Sequence, residues 1–465
     1  MKYLYLLLTL VIFGFDSQSK TVVHFNTTPD FIFSEYKVFA VTDFITPDRK
    51  LIANGTVNKE GNFNIELNNN KIIVIEIEIN DIIKSLFVDQ NSKYTVKIDT
   101  SSNKYPDIIR EPENRINELI SSLTKSFDTL NYIKGTPRTR IEFLSQAISG
   151  SISKKQLKLM RVLINKAYED KNKITNQFIK NYYVYYLAPY QAILIDKEYG
   201  ADSLIKLKKR LFENTQILLY NPAYVNCLKI FTLFINHRIY FKTTKSKNLD
   251  FSFNNRLIFL SDFNTPELNQ LAKLIVVNYE LGFASYNTNK KAESSLLHIS
   301  DSIGTVTKFS NVAYVSSNIK MKYTELSRIN YPAPSFVLPD RNNNMISLES
   351  FKGKYVYFDF WGVWCNHCRE HHKELSQLKD QFDTNIVFVS ISVDRYKKSM
   401  IQYLDDHPEY DWIFLWAGEK SKITKDYKIF GYPTNFLINR EGNIIYRSGT
   451  GIKKDLIKIK QLIDD

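Results

Sequence analysis

The sequence predicts a multidomain protein in which an all-β region and an all-α region precede a C-terminal α/β domain. With 465 residues, the chain is too long to fold around one hydrophobic core. Short alternating runs extend to about residue 105, apolar residues then follow helical spacing to about residue 328, and buried strands and helices alternate after that. We therefore expect domains at 20–105, 106–328 and 329–465, behind a leader at 1–19.

The composition is that of a packed globular protein. Hydrophobic residues make up 44% of the chain and aromatic residues 14%, which is too much apolar surface for a disordered protein. The net charge is +13, and almost all of the excess lies upstream of residue 331. No basic cluster is interleaved with aromatic residues, so we expect a solvated basic surface and no nucleic-acid partner.

The first 19 residues have the pattern of a secretory signal peptide. Met1 and Lys2 precede an apolar run at 3–13, and small residues at 17–19 supply a cleavage point. The run is too short to cross a bilayer comfortably, and no later segment is apolar enough to do so. The sequence predicts an exported chain that has no transmembrane segment once the leader is removed.

The β region consists of short strand-like runs separated by turn residues. The runs lie at 22–25, 36–41, 63–67 and 72–79, and the turn at 58–62 is rich in Asn and Gly. This spacing predicts a small β-sandwich.

The helical region is divided by proline and glycine residues near the ends of its helices. Thr265 followed by Pro266 is a good helix start, with the threonine as the cap. The tyrosine-rich stretch at 182–186 is interpreted as core rather than as a partner-binding surface. Cys227 lies in an apolar pattern and is interpreted as a small buried residue.

The C-terminal domain begins after the rigid segment Tyr331-Pro332-Ala333-Pro334. A strand, a helix and a second strand follow, and this βαβ crossover implies a parallel strand pair. A hairpin and a closing helix complete the domain. The predicted elements are strands at 355–360, 386–393, 434–438 and 444–447, and helices from 365 to about 382 and at 453–463.

Cys365 and Cys368 lie three residues apart in the first turn of the predicted helix, on one face and close enough to form a disulfide. A free thiol has a pKa of about 8.5, which a helix N-terminus lowers by stabilising the thiolate. Cys365, at the helix start, is therefore the candidate nucleophile, and Cys368 is the candidate resolving thiol. Only three cysteines occur in the chain, so we expect the pair to be reactive rather than to form a structural disulfide that stabilises the fold.

From Pro332 to Asp465 the sequence resembles the thioredoxin superfamily, in particular its TlpA-like exported branch. The motifs that carry the resemblance are Phe360-Trp361-Gly362-Val363-Trp364-Cys365-Asn366-His367-Cys368-Arg369, Ser392-Val393-Asp394, Gly431-Tyr432-Pro433-Thr434 and Phe436-Leu437-Ile438-Asn439-Arg440-Glu441-Gly442. The β and helical regions in front are similar to those of Bacteroidetes exported proteins.

The resemblance implies a thioredoxin fold and a thiol–disulfide oxidoreductase that uses no cofactor. Its partners would be exported proteins with disulfides or thiols, and a membrane or periplasmic redox protein. The location would be the periplasm or cell envelope of a Gram-negative bacterium, and reduction of the partner is favoured over oxidation.

The resemblance also implies roles for four residues around the two cysteines. Pro433 would be cis and face the disulfide, Tyr432 would offer backbone hydrogen bonds to a substrate, and Trp364 would shield the dithiol. Asp359 matches the buried acid of thioredoxins, and we expect it to take the proton of Cys368 with a pKa raised by burial.

Three positions depart from the family pattern. The dipeptide between the cysteines is Asn366-His367 rather than Gly-Pro, and a histidine that stabilises the thiolate makes a protein more oxidising. His371 stands where relatives often have Glu, and is interpreted either as a second proton carrier or as a partly buried histidine. Lys373 replaces a proline that kinks the helix in relatives.

Four alternatives stay open from the sequence. A DsbA-like oxidant is favoured by His367. The two cysteines with His367, His371 and His372 could bind copper or zinc. Pro334-Ser335-Phe336 resembles the entrance to the peroxiredoxin fold. Finally, the upstream domains could hold a client protein, with a secondary redox role for the dithiol.

Overall fold

The structure is a computed structural model, and it describes most of the chain. The described residues are 20–80, 82–100, 107–110 (backbone only), 115–128, 130, 132–133, 136–137, 143–144, 147–148, 152–213, 215–244, 252–286, 290–326, 329–379, 386–418, 421–429, 431–448, 455 and 459–462. The predicted leader at 1–19 lies outside these residues.

The N-terminal region is built from two four-stranded sheets. One sheet has the order β4-β1-β7-β8, with β1 and β7 parallel, and the other has the order β3-β2-β5-β6. Apolar side chains from both sheets, such as Val23, Val38 and Ile77, share one buried core, as a sandwich requires. The strands are β1 (Thr21–Thr27), β2 (Glu35–Asp43), β3 (Asp48–Thr56), β4 (Asn62–Leu67), β5 (Ile73–Ile79), β6 (Ile82–Val88), β7 (Lys93–Ile98) and β8 (Asp107–Arg110); a 3₁₀ turn spans Pro29–Phe31.

The middle region is helical, as predicted. Thr265 caps the helix that follows it, because its Oγ1 accepts the N–H of Leu268 at 3.4 Å. The tyrosines at 182, 183, 185 and 186 are buried in the core, and so is Cys227. The helices are α1 (Ile116–Asp128), α2 (Lys154–Lys173), α3 (Gln177–Glu198), α4 (Ala201–Phe212), α5 (Pro222–Ile230), α6 (Asn236–Thr243), α7 (Phe253–Leu260), α8 (Pro266–Tyr286), α9 (Lys290–Val306) and α10 (Ser310–Leu326), with a π turn at Phe231–Ile235 and two short strands, β9 (Tyr132–Ile133) and β10 (Thr136–Pro137).

The C-terminal domain is a six-stranded sheet of order β11-β18-β17-β14-β15-β16. The predicted parallel pair and the predicted hairpin are both present, which confirms the expected α/β fold. The strands are β11 (Tyr331–Pro332), β12 (Val337–Pro339), β13 (Met345–Ser347), β14 (Tyr355–Trp361), β15 (Ile386–Ser392), β16 (Ile413–Trp416), β17 (Thr434–Ile438) and β18 (Asn443–Ser448), and the helices are α11 (Asn366–Leu378), α12 (Lys397–Asp405) and α13 (Lys422–Asp426), with a 3₁₀ turn at Leu348–Phe351.

Several of these elements differ from the sequence prediction. The small hairpin β12–β13 and the edge strand β16 were not predicted, because strands of three or four residues carry too little alternation. The helix predicted to reach residue 382 ends at Leu378, and 380–385 lie outside the described residues. Of the predicted closing helix, residues 455 and 459–462 are described and helical.

The three regions contact one another through buried and charged groups. Asn318 of α10 donates to Asp43 of β2 at 3.1 Å, and Lys425 of α13 pairs with Glu76 of β5 at 2.8 Å. A cavity of about 630 Å³ lies between the three regions. Within the described ranges, no helix combines the length and the apolar character that spanning a bilayer requires.

Candidate active site

The two cysteines of the motif form a disulfide at the N-terminus of α11. Cys365 and Cys368 are bonded, with their Cα atoms 5.2 Å apart. Cys365 is the N-cap residue, and its Sγ accepts the backbone N–H of Cys368 at 3.1 Å. Cys365 is 8% exposed and Cys368 is 0% exposed. Cys365 is therefore the more accessible of the two cysteines, although both are largely buried.

The turn between β14 and α11 is held by the buried carboxylate of Asp394, which lies just after β15. Both carboxylate oxygens of Asp394 accept the backbone N–H of Val363 at 3.1 Å, and one also accepts the hydroxyl of Ser392 at 2.9 Å. A Cβ at residue 362 would come within 2.7 Å of the Trp364 ring, so a larger residue here would displace that ring. The sequence pointed to Asp394 only as part of a family motif and did not reveal this contact.

Trp364 and Tyr432 lie together beside the disulfide. Trp364 is 46% exposed, and its ring meets the Tyr432 ring edge-on with the centroids 5.3 Å apart. Tyr432 also packs against the apolar cluster that contains both cysteines. The Tyr432–Pro433 peptide bond is cis, as the resemblance implied. The half-exposed ring of Trp364 and the ring of Tyr432 therefore form an aromatic surface next to Cys365.

Asp359 is fully buried on β14 and accepts two hydrogen bonds. Ser390 Oγ donates to Oδ1 at 2.6 Å, and His372 Nε2 lies 3.3 Å from Oδ2. Burial alone raises the pKa of the Asp359 carboxyl, but the His372 imidazole and the Ser390 hydroxyl outweigh it and hold this pKa below its ordinary value. The expected rise of the pKa is therefore wrong, because the sequence did not show that a histidine faces the carboxyl.

His371 is buried, 3% exposed, on the face of α11 that packs against the sheet. Its Nε2 lies 3.0 Å from the hydroxyl of Tyr357. Burial, together with the nearby His372, lowers the pKa of His371 to about 4, although Asp359 partly opposes the shift. The imidazole is thus neutral at neutral pH, and its hydrogen bond goes to Tyr357 rather than to the dithiol.

The sequence indicated His372 only as a potential metal ligand and did not show its contact with Asp359. It is 0% exposed and lies four residues after Cys368, on the same face of α11. Five aromatic rings surround its imidazole with centroid distances of 4.5 to 6.0 Å; they belong to Trp361, Tyr403, Tyr410, Trp412 and Phe414. The i, i+4 spacing from Cys368 was the available signal.

The remaining polar residues of the motif face solvent. Asn366 and His367 are both exposed in the first turn of α11. His371 contacts the hydroxyl of Tyr357, and His372 contacts the carboxylate of Asp359. The two cysteines are bonded to each other. Within the part of the chain that the structure describes, no three His, Cys, Asp or Glu side chains are grouped to hold a metal ion. The structure therefore does not assemble the alternative Cys/His metal site.

Sequence comparisons relate this chain to thioredoxin-like proteins and thiol-disulfide oxidoreductases. The sequence profile of the AhpC/TSA family matches residues 329–447. The chain is 30% identical over 123 residues, 26% of its length, to 69% of the thiol-disulfide oxidoreductase ResA of Bacillus thuringiensis subsp. konkukian. It is 28% identical over 149 residues, 31% of its length, to 88% of the thioredoxin-like protein YneN of Bacillus subtilis. A thiol-disulfide oxidoreductase structure from Bacteroides fragilis aligns at 28% identity with 28% of this chain and 99% of its own, with a TM-score of 0.26.

Proposed function

This chain belongs, through its C-terminal domain, to the thioredoxin-like thiol-disulfide oxidoreductases, and on that premise we propose that it reduces disulfides in exported proteins through Cys365 and Cys368. The observation that carries the proposal is the asymmetry of the disulfide. Cys365 caps the N-terminus of α11 and is 8% exposed, whereas Cys368 is fully buried. A helix N-terminus favours the thiolate that attack requires.

The exchange proceeds in two steps. The Cys365 thiolate attacks a partner disulfide, forms a mixed disulfide and releases one partner sulfur as thiolate. The Cys368 thiol then loses its proton and attacks the Cys365 sulfur, which forms the intramolecular disulfide and releases the second partner sulfur. Two electrons pass from the dithiol to the partner.

The surface around Cys365 fits an extended protein substrate. Trp364 and Tyr432 pack edge to face beside Cys365, and the peptide bond from Tyr432 to Pro433 is cis. We propose that a partner segment docks here, with backbone hydrogen bonds at Tyr432 and apolar contact with Trp364. Backbone hydrogen bonds of this kind would select an extended segment rather than a particular sequence.

A trapping experiment tests the roles of the two cysteines. In a Cys368→Ser variant the mixed disulfide cannot be resolved, so we expect partner proteins to accumulate on Cys365. The matched Cys365→Ser variant retains the other thiol but loses the exposed one, and should trap far fewer partners. Equal trapping by both variants would contradict the assignment of Cys365 as nucleophile.

The reduction potential tests the direction of electron flow. The family resemblance supports a reductant, whereas the exposed His367 favours an oxidant like DsbA. We expect a value near that of thioredoxin, about −270 mV, in equilibrium with glutathione. A value near that of DsbA, about −120 mV, would reverse the proposed direction.

We further propose that residues 1–19 direct export and are removed. The apolar run and the small residues after it support this location. Fractionation of the producing cells, with N-terminal sequencing of the purified protein, should find the mature chain outside the cytoplasm and beginning near Lys20. A cytoplasmic protein that retains its first 19 residues would contradict export.

A further inference from the structure

The cavity between the three regions is large enough for a small organic molecule. Its volume is about 630 Å³, which is the space that about 20 water molecules take up in the liquid at about 30 Å³ each. Ligand pockets typically measure about 300–1,000 Å³ and often lie between domains. The β-sandwich contributes Val74 to the wall, the helical region contributes Tyr182 and the C-terminal domain contributes Ile429, so all three regions enclose the cavity.

Part of the wall is apolar and aromatic. Phe44, Phe87 and Tyr182 line this part, together with Val41 and Val74. The rings of Phe87 and Tyr182 meet edge-on, with their centroids 5.8 Å apart. An apolar ligand body would leave water when it packs against these residues, which favours binding.

Two lysines and one carboxylate form a charged cluster beside the apolar part. Lys322 of α10 lines the cavity, and Lys229 of α5 and Asp43 of β2 lie close enough to affect its titration. All three residues are largely buried, where a charge is costly unless it is compensated. One carboxylate cannot compensate two ammonium groups, so the cluster has an excess of positive charge.

Both lysines donate hydrogen bonds to neutral oxygens. Lys229 Nζ donates to the main-chain oxygen of Phe44 at 2.6 Å, and Lys322 Nζ donates to Asn278 Oδ1 at 3.3 Å. These bonds help to fix the two ammonium groups but supply no negative charge.

The other charged groups of the wall balance one another. Glu76 Oε2 accepts Lys425 Nζ at 2.8 Å and lies 3.5 Å from Arg49 Nη1, which also pairs with Glu78. The charges on this side, with Glu78 included, are three of each sign: Arg49, Lys425, Lys428, Asp48, Glu76 and Glu78. The excess positive charge at the cavity is therefore that of Lys322 and Lys229.

We propose that this cavity binds a small carboxylic acid with an apolar body. The carboxylate pairs with the ammonium group of Lys322, and the apolar body packs against Phe44, Phe87 and Tyr182. A fatty acid of medium chain length and an aromatic acid share this chemistry. The site is separate from the dithiol and does not depend on its reaction.

The titration of Lys322 gives the proposed site a pH dependence. Burial and, to a lesser extent, the nearby Lys229 lower the pKa of Lys322 to about 8, although Asp43 opposes the shift. Burial also lowers the pKa of Lys229 to about 8. At a pKa of about 8, a lysine is about nine-tenths charged at about pH 7 and about one-tenth charged at about pH 9. Because the carboxylate needs the ammonium form, its affinity should fall about tenfold or more over this range.

Isothermal titration calorimetry of the full-length protein tests the site with octanoate, 4-phenylbutyrate and 1-octanol. At about pH 7 we expect one acid molecule to bind per chain, and 1-octanol, which has the same chain without the charge, to bind about tenfold more weakly than octanoate or worse. Tighter binding of octanoate than of 4-phenylbutyrate would indicate a lipid-derived acid as the ligand, and the reverse order an aromatic acid.

A matched pair of variants on α10 locates the site. Lys322→Met removes the charge and keeps an unbranched side chain, so it should weaken octanoate binding about tenfold or more and remove most of the pH dependence. Lys320→Met is the control, because this side chain is 61% exposed, pairs with Asp301 and does not line the cavity. It should bind octanoate like the wild type.

Several results would overturn the proposal. If neither acid bound to the wild type at millimolar concentration, the site would not exist, whether or not Lys322→Met folds. Equal affinities of the wild type for octanoate and 1-octanol would rule out recognition of the carboxylate. A folded Lys322→Met protein that binds octanoate as the wild type does would rule out the role of Lys322. None of these results bears on the dithiol exchange proposed above.

Discussion

The burial of His371 predicts that the C-terminal domain loses stability in mild acid. Its imidazole titrates at 6.5 when unfolded, and burial lowers the pKa to about 4 in the folded protein. As the pH falls, the unfolded chain therefore takes up a proton that the folded protein still excludes. From the two pKa values, the loss of unfolding free energy is about 2 kcal/mol between about pH 7 and about pH 5, and about 3 kcal/mol in total at lower pH.

The variant His371→Gln removes this titrating group. Glutamine stays neutral and can still accept the hydroxyl of Tyr357, and the comparison reports on the His371 imidazole together with its coupling to Asp359. All four tryptophans of the chain, at 361, 364, 412 and 416, lie in the C-terminal domain, so fluorescence during urea unfolding reports on it. The wild type should lose about 2 kcal/mol relative to the variant from about pH 7 to about pH 5. A difference that stays constant to within about 0.5 kcal/mol would refute the reasoning.

Two further substitutions test other parts of the structure by the same unfolding assay. Asp394→Ala leaves the Val363 N–H and the Ser392 hydroxyl without their acceptor and should lower the unfolding free energy by about 2–4 kcal/mol. Asp394→Asn keeps one oxygen and should lower it less. An equal loss for both variants would contradict the role of the hydrogen bonds. Lys425→Met removes a partly exposed pair with Glu76 and should change stability by less than about 1 kcal/mol, and a larger loss would show that this contact holds the domains together.

Much of the C-terminal domain could be predicted from the sequence because its signals are local. The strands around 355–360 and 386–393 are continuous apolar runs, and the two cysteines three residues apart specify a reaction within one helical turn. The cis bond before Pro433 followed from the family motif in which this proline lies. The sequence alone therefore determined the fold class, the reaction class and the pair of sulfur atoms.

The electrostatics behind the dithiol were decided by the tertiary structure. Asp359 faces Ser390 because β14 and β15 pair in a register that aligns these two residues, which lie 31 positions apart. His372 reaches Asp359 because α11 packs on the sheet in one rotational setting, which turns this histidine rather than His371 toward the carboxyl. Strand register and helix rotation depend on the packing of the whole domain, so no local pattern could have shown that the buried acid is paired and its pKa lowered.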